Sequence, residues 1–221
     1  MDAKELEELI SNCPTLFHMA ERGSWKKIEN RGLLSTSALL AEHNVPMAMR
    51  AEIESKHRQK SVKIADGVWV RDQKPMSDES LRKCLPSHLE PSDWYKTLNS
   101  KVFFWLSETR LHKLAGATAY RNREHDVIEV DTRSLIEAHF DKIWLCPINS
   151  GCTKPFPTER DEKTFARICD YPYSYWRKKR AATERVFELC VDQHVLDISN
   201  HVKRVVIKKN TIEVKAIYFR P

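Results

Sequence analysis

Glycine is scarce in this chain, with five residues among 221: Gly23, Gly32, Gly67, Gly116 and Gly151. No two of them lie close enough to form the G-x-G-x-x-G fingerprint of a Rossmann dinucleotide site or the glycine-rich loop of a P-loop nucleotide site. The sequence therefore disfavours both of these classes of nucleotide-binding protein.

The usual spacings of metal-binding residues are also missing. The six cysteines include no C-x-x-C pair, and the nine histidines include no H-E-x-x-H motif. Structural zinc sites and zinc proteases depend on such spacings, so we expect no metal. We interpret the cysteines as reduced and mostly buried thiols.

No uncharged stretch approaches the ~20 residues that a membrane-spanning helix needs. The first residues, MDAKELEELI, are acidic and helical in pattern, unlike a signal or transit peptide. We therefore expect a cytoplasmic protein without a membrane partner, and we expect it to be a monomer.

Basic residues outnumber acidic ones, with 37 Lys and Arg against 31 Asp and Glu, for a net charge of +6. This excess favours a polyanionic partner, and we expect that partner to be DNA. The basic runs are KSVK near residue 60, YRNR at 120–123 and YWRKKR at 175–180. The last run interleaves aromatic rings with cations, which suits phosphate contact, although a solvated helix face would have the same pattern. The predicted contacts to the DNA backbone are Arg121, Arg123, Arg177, Lys178, Lys179 and Arg180.

The apolar periodicities alternate irregularly along the chain, without the βαβ order of a parallel sheet, and they predict an α+β fold. We expect a single domain spanning residues 1–221. The predicted helices include 3–12, 25–30 with Ser24 as N-cap, 38–43 with Ser37 as N-cap, 161–169, and one from Ser107 to about Tyr120. The predicted strands include 15–19, 102–106, 186–191 and a terminal hairpin formed by 202–207 and 212–219. The basic segment 50–65 is expected to be exposed.

Two titratable residues stand out by their position in predicted strands. His18 lies near the end of the first strand, and a helix and the return GLLS follow it. Glu188 lies within a late strand, between the apolar residues Phe187 and Leu189. A carboxylate at such a place either faces solvent or lines a cleft, and strand alternation alone leaves both interpretations open.

The order of several motifs resembles that of the DarT-type DNA ADP-ribosyltransferases. These motifs are LFHMAERG followed by GLLS, then VFFWLSETRL, and late in the chain FELCVD. The chain is still more similar to an uncharacterised bacterial family with the signatures RDQKPM, VFFW and PINSG. The resemblance implies an ADP-ribosyltransferase-like split β-sheet surrounded by helices. It also implies that Glu188 acts at an N-glycosidic bond, that His18 orients the ligand, and that Arg110 is a looser match to a binding arginine.

One departure from the DarT-type pattern concerns NAD. That pattern has a threonine two residues after the histidine, where it helps to hold NAD, and this chain has Ala20 instead. We therefore expect no cofactor, with NAD required only under the alternative function. Ser35 and Ser37 are nearby hydroxyls that could compensate for the missing threonine.

These residues favour an enzyme that cleaves an N-glycosidic bond in DNA. Such cleavage passes through an oxocarbenium-like state, which a carboxylate at Glu188 could stabilise, and a base-excising enzyme flips its nucleotide into a pocket. Our first hypothesis is a DNA glycosylase that removes a modified base, with a role in defence against phage. The alternatives are an NAD-dependent ADP-ribosyltransferase that modifies nucleic-acid bases, and a non-catalytic DNA-binding module. The predicted substrate-binding residues are Ser35, Ser37, Arg71, Asp72, Gln73, Trp105, Arg110, Tyr120 and Asn149.

Overall fold

The fold is described from a computed structural model that covers residues 1–155 and 157–220. The helices are α1 Ala3–Asn12, α2 Trp25–Arg31, α3 Thr36–Glu42, α4 Met47–Ser55, α5 Asp78–Arg82, α6 Pro91–Asn99, α7 Glu108–Ala115, α8 Thr132–His139 and α9 Tyr173–Arg177. Short 3-10 helices span Phe140–Lys142, Ala182–Glu184 and Ile198–Asn200. The strands are β1 Thr15–Glu21, β2 Leu33–Leu34, β3 Val62–Ala65, β4 Val68–Val70, β5 Lys101–Trp105, β6 Glu124–Asp131, β7 Ile143–Cys146, β8 Ala166–Arg167, β9 Glu188–Asp192, β10 His194–Val195, β11 Val202–Lys209 and β12 Ile212–Phe219.

Eight of these strands form one antiparallel sheet in the order β12-β11-β6-β1-β5-β9-β7-β8. Strands from both ends of the chain meet in it, and helices pack on both faces. This arrangement confirms the predicted α+β class. The predicted terminal hairpin is confirmed as β11 and β12. In the part of the chain that the structure describes, no helix is both long and apolar enough to cross a membrane.

The sheet divides between its central strands β1 and β5. β1 pairs with β6 at seven positions but with β5 at one only, Phe17 opposite Trp105. Beyond that single pair the two strands separate, so residues 18–21 and 101–104 face each other without a backbone ladder. The separation opens a gap within the sheet, and side chains from both of its faces reach that gap.

The apolar core lies on both faces of the sheet. One face packs against α1, α2 and α8, with Leu16, Phe104 and Ile128 fully buried. On the opposite face, α6 covers β7 and β9, while α7 covers β1 and β6 through Leu111 and Val127. α6 and α7 therefore pack on different parts of this face, one on each side of the dividing line between β1 and β5.

The start of α2 shows why a predicted cap was wrong. Ser24 occupies the N-cap position of α2, but its side chain makes no capping hydrogen bond. Instead, the buried carboxylate of Asp126 in β6 accepts the N–H groups of Trp25 at 3.0 Å and Gly23 at 2.9 Å. A carboxylate at a helix N-terminus also interacts favourably with the helix dipole. The cap comes from a strand about 100 residues away, so local sequence could not reveal it.

Other local predictions also need correction. Ser35, not Ser37, caps α3 and accepts the Ala38 N–H at 3.1 Å. The helix that begins after Ser107 ends at Ala115, because Gly116 closes it and turns follow. Residues 161–169 form turns and the short strand β8 rather than a helix. Segment 50–65 is not uniformly exposed, since Arg58 is buried and donates to backbone carbonyls.

Gly32 ends α2 in a conformation that other residues avoid, with φ 90° and ψ 172°. A Cβ atom here would lie 2.5 Å from Leu196 Cα and 2.8 Å from the Val195 carbonyl oxygen. This close approach lets β2 pair with β10, which brings Ser35 to the edge of the gap in the sheet.

Replacing Gly32 by Ala should destabilise the fold by on the order of 2–3 kcal/mol, because backbone strain and a backbone clash add. Gly23→Ala is the matched control, since φ there is 85° and a Cβ would meet no atom within 4 Å. The control should lose about 1 kcal/mol from strain alone. Denaturant unfolding of both variants measures the difference, and equal losses would contradict the clash.

Candidate functional site

A cleft with a volume of about 500 Å³ opens at the gap between β1 and β5. Its walls come from β1, the β2 return, β4 and the loop after it, the start of β5, and residues 149–152. All the predicted catalytic and substrate-binding residues line this cleft except Ser37. A concave pocket of this size, with a few convergent polar groups, is typical of a small-molecule or nucleotide-sized ligand site.

Glu188, the first residue of β9, lies in the wall of the cleft and is only 4% exposed. Its neighbours across the sheet are Trp105 in β5 and Cys146 in β7. The Ser150 N–H points between the two carboxylate oxygens, at 3.2 Å and 3.3 Å. Of the two interpretations that strand alternation left open, the structure therefore shows the cleft-lining one.

Burial raises the pKa of Glu188 to about 7, while hydrogen bonding from Ser150 and the charges of Arg110 and Arg160 act in the opposite direction. No cation lies within ion-pair distance of this carboxylate among the described residues. At neutral pH both protonation states are therefore populated, and a carboxyl group in that condition can act as a general acid or a general base.

Arg110 and Arg160 hold the backbone on the two sides of Glu188. Arg110 donates to the carbonyl oxygens of Val186 and Phe187 at 2.5 Å and 2.9 Å, and it pairs with Glu184 at 2.7 Å. These three contacts occupy guanidinium donors of Arg110 that its predicted role in substrate binding would need. In the structure, Arg110 fixes the backbone at the start of β9.

Arg160 fixes the loop that carries the hydrogen-bond donor to Glu188. Its guanidinium donates to the carbonyl oxygens of Ser150 and Cys152 at 3.5 Å and 3.2 Å, and it lies over the Trp94 ring. Arg160 is not among the site residues predicted from the sequence. A single arginine in a loop gives no local signal that it will be buried against carbonyl groups.

His18 bridges the gap between the separated strands. Its Nδ1 lies 2.9 Å from the carbonyl oxygen of Phe103 in β5. Because a carbonyl can only accept, Nδ1 carries the proton and Nε2 keeps a free lone pair. Burial and the nearby charge of Arg71 lower the pKa of His18 to about 4, against the opposing effect of the Phe103 carbonyl. His18 is therefore neutral at physiological pH, and it offers the cleft an acceptor rather than a charge.

A polar network lies at the mouth of the cleft. Arg71 donates to the Met19 carbonyl at 2.8 Å and lies over the Tyr120 ring, and the Tyr120 hydroxyl donates to Asp72. Arg71 and Tyr120 therefore already have protein partners. Gln73 differs, because its Nε2 is 3.5 Å from Asn99 Oδ1 whereas its buried Oε1 has no partner among the described residues.

Five further side chains belong to the lining of the cleft. Trp105 is half-buried and Asn149 is exposed, while Arg58 donates to Asn99 at 3.2 Å near Gln73. Trp69, in β4, is 44% exposed at the mouth of the cleft. Arg58, Asn99 and Trp69 are not among the site residues predicted from the sequence. The alternation in VWV marks Trp69 as the outward residue of its strand, which is the one signal that could have identified it.

The predicted DNA-backbone residues fall into two groups. Arg123 pairs with Glu21 and Arg177 pairs with Glu8, and each of these carboxylates also pairs with a second arginine. The remaining residues have no acidic partner within 4.0 Å among the described residues, and Lys179 and Arg180 lie over the rings of Tyr175 and Trp176. The predicted cations without an acidic partner are therefore Arg121, Lys178, Lys179 and Arg180, of which Arg180 also donates to backbone carbonyl groups.

Residues 14–202 match the DUF7002 family, a family of unknown function. The chain belongs to this family. The match starts just before β1 and ends at the start of β11, so it includes every strand and loop that forms the cleft. A search of curated proteins returned no significant match. Membership of DUF7002 carries no activity, and the resemblance to ADP-ribosyltransferases stays a prediction.

Replacing Glu188 by Gln should stabilise the protein at high pH. The folded chain holds a proton up to about pH 7, whereas the unfolded chain releases it near 4.5, so the free energy of unfolding falls as pH rises between these values. Gln removes this loss. We expect a gain on the order of 1–3 kcal/mol at pH 8 that disappears near pH 4.5.

Denaturant unfolding at pH 5, 6.5 and 8 measures this gain. Glu129→Gln is the control, because that carboxylate lies on the same face of the sheet but is paired with Arg204 at 2.8 Å. The control should bring no stabilisation at any pH. If Glu188→Gln and the wild type are equally stable at pH 8, the ionised carboxylate of Glu188 does not destabilise the fold, and its proposed burial is wrong.

Proposed function

We propose that this DUF7002 protein is a DNA glycosylase, an enzyme that hydrolyses the N-glycosidic bond between a base and its deoxyribose. The observation that carries this proposal is the buried carboxyl of Glu188, with a pKa of about 7, in the wall of a cleft of about 500 Å³. A base-excising enzyme needs a pocket that admits an extruded nucleotide and a group that stabilises the positive charge that develops at C1′.

In the proposed reaction the C1′–N bond breaks and its electron pair leaves with the base, which takes up a proton from solvent water and leaves a hydroxide ion. The oxocarbenium-like sugar that develops is stabilised by the ionised Glu188. A water oxygen then bonds to C1′, Glu188 accepts the proton that this water loses, and release of that proton to the hydroxide restores the carboxylate. The products are the free base and an abasic site.

The polar groups of the cleft suit recognition of a base edge. Gln73 Oε1 is a buried acceptor without a partner among the described residues, and the Asn149 side chain lies on the same cleft wall as Ser150. His18 Nε2 adds a neutral acceptor. Trp105 beside Glu188 and Trp69 at the mouth offer aromatic surfaces on which bases can stack.

The cationic residues without acidic partners support DNA as the carrier of the base. Lys178, Lys179 and Arg180 directly follow the helix α9, and Arg180 also donates to the Pro147 carbonyl in the loop that leads to Asn149. Phosphate contacts there would position a strand close to the cleft wall. A role in defence against phage, with a modified base as substrate, is part of the proposal.

A second candidate, an NAD-dependent ADP-ribosyltransferase acting on nucleic-acid bases, is supported by the separation of β1 from β5. The family resemblance implies such a split sheet around an NAD site. Ala20 lines the cleft and supplies no hydroxyl, and Ser35 accepts the Ala38 N–H as a helix cap. Ser37 lies outside the cleft lining. These placements favour the glycosylase.

Purified protein incubated with oligonucleotides carrying modified or unmodified bases should release free base and leave alkali-labile DNA, without NAD. Glu188→Gln should lower the rate of base release by on the order of 10²–10³-fold or more, since it removes the negative charge that stabilises the transition state. The wild-type rate should rise with pH up to about 7 and then level, because the ionised carboxylate is the active form. Mass spectrometry of DNA and liberated base measures both effects.

Glu129→Gln is the matched control and should keep full activity. If DNA gains the mass of one ADP-ribose and this gain requires NAD, the protein is a transferase and not a glycosylase. If the protein alters no substrate but binds DNA, and this binding weakens steeply with salt and with charge reversal at Lys178 and Lys179, it is a non-catalytic binding module.

A further inference from the structure

A second cluster of titratable side chains lies away from the cleft. His139 ends α8, while Asp197 and His201 flank the 3-10 helix Ile198–Asn200. None of the three lines the cleft. His139 Nε2 lies 2.7 Å from Asp197 Oδ1, and His201 Nε2 lies 3.2 Å from Asp197 Oδ2. Two imidazoles thus direct the same ring nitrogen at one carboxylate.

The three potential ligand atoms all lie within 4.8 Å of one another. Ligand atoms around a tetrahedral Zn²⁺ at bond lengths of ~2.0–2.1 Å are separated by ~3.3 Å. The His201 nitrogen–oxygen distance of 3.2 Å is close to that separation, whereas that of His139, 2.7 Å, is shorter and runs to the other oxygen of Asp197. Rotation of the Asp197 carboxylate and a small widening of the His139 contact would let all three residues reach one ion.

The ring of His201 is also held on its far side. Its Nδ1 lies 2.7 Å from the hydroxyl of Ser134, a residue of α8 whose N–H is bonded to Asp131. A contact to the second ring nitrogen is the usual way in which a metal-binding imidazole is oriented. It keeps Nε2 of His201 directed at Asp197.

Burial of the cluster is uneven. The side chain of His201 is 5% exposed and that of His139 is 12% exposed, whereas that of Asp197 is 40% exposed. Two protected nitrogen ligands and one carboxylate open to solvent leave a route for an ion and a position for water as a fourth ligand.

We propose that His139, Asp197 and His201 form a binding site for a divalent transition-metal ion, with Zn²⁺ as the expected occupant. Both imidazoles bind as neutral rings through Nε2, so the proton moves from Nε2 to Nδ1 in each ring. In His201 the protonated Nδ1 then donates to the Ser134 oxygen. Two imidazole nitrogens, one carboxylate oxygen and water form a familiar ligand set for zinc.

A bound ion would fasten the segment that contains Asp197 and His201 to the end of α8. This segment follows directly on β10, and β10 pairs with β2 next to Ser35 in the cleft wall. The bound ion would therefore stabilise β10, which pairs with the strand that leads to Ser35, without taking part in the chemistry at Glu188.

The test uses untagged protein freed of metal by a chelator, with Zn²⁺ and Co²⁺ as probes. Calorimetry should show one Zn²⁺ bound per chain, and Co²⁺ should give the visible absorption bands of a four-coordinate site. At a Zn²⁺ concentration about 100 times the dissociation constant, the unfolding temperature should rise by about 5 °C or more.

Asp197→Asn and His139→Gln each preserve side-chain volume closely and should remove both the binding and the temperature shift. His88→Gln is the matched control, because His88 pairs with Glu162 in an exposed contact of the same kind. The control should bind Zn²⁺ as the wild type does. Absence of stoichiometric binding in the wild type would overturn the proposal, and so would binding that persists in both Asp197→Asn and His139→Gln.

Discussion

The separation of β1 from β5 is the constraint on which the rest of the structure depends. Two antiparallel strands that diverge after one backbone pair leave carbonyl and N–H groups without a ladder partner, and such groups are costly when buried. Side chains meet this need, since His18 donates to the Phe103 carbonyl and Arg71 to the Met19 carbonyl. These two hydrogen bonds to the separated strands fix the orientation of His18 and Arg71 in the cleft.

The same opening determines the properties of Glu188. A carboxylate one strand away from the gap is shielded from bulk water by the sheet and by residues 149–152, yet it faces a cleft. Arg110 and Arg160 contribute positive potential but direct their hydrogen bonds to carbonyl groups, so the charge of Glu188 is only partly compensated. Above neutral pH the buried, ionised Glu188 therefore lowers the free energy of unfolding of the protein. Titratable groups that destabilise the fold in this way are typical of functional sites.

Features set by local chemistry were predictable from sequence. The α+β class, the strand that carries His18 and the terminal hairpin follow from periodicity and turn residues. The family resemblance directed attention to Glu188 before its burial was known. Long-range features were not predictable. Asp126, in a distant strand, caps α2 in place of Ser24. Arg58 and Arg160 are buried because they donate to backbone carbonyl groups that only the tertiary fold brings near them. The cluster of His139 with Asp197 and His201 joins residues 58 and 62 positions apart, so no spacing motif marks it.

The proposed chemistry depends on the burial of Glu188 in the cleft wall, which raises the pKa of its carboxyl group to about 7. Carbon-13 NMR of protein labelled at the glutamate carboxyl carbon tests it directly, with the Glu188→Gln variant used to assign the resonance. The Glu188 carboxyl resonance should titrate at about pH 7, clearly separated from the other glutamates. Titration of this resonance at or below about pH 4.5 would rule out a buried and uncompensated carboxyl group, because the carboxylate would then be solvated or paired.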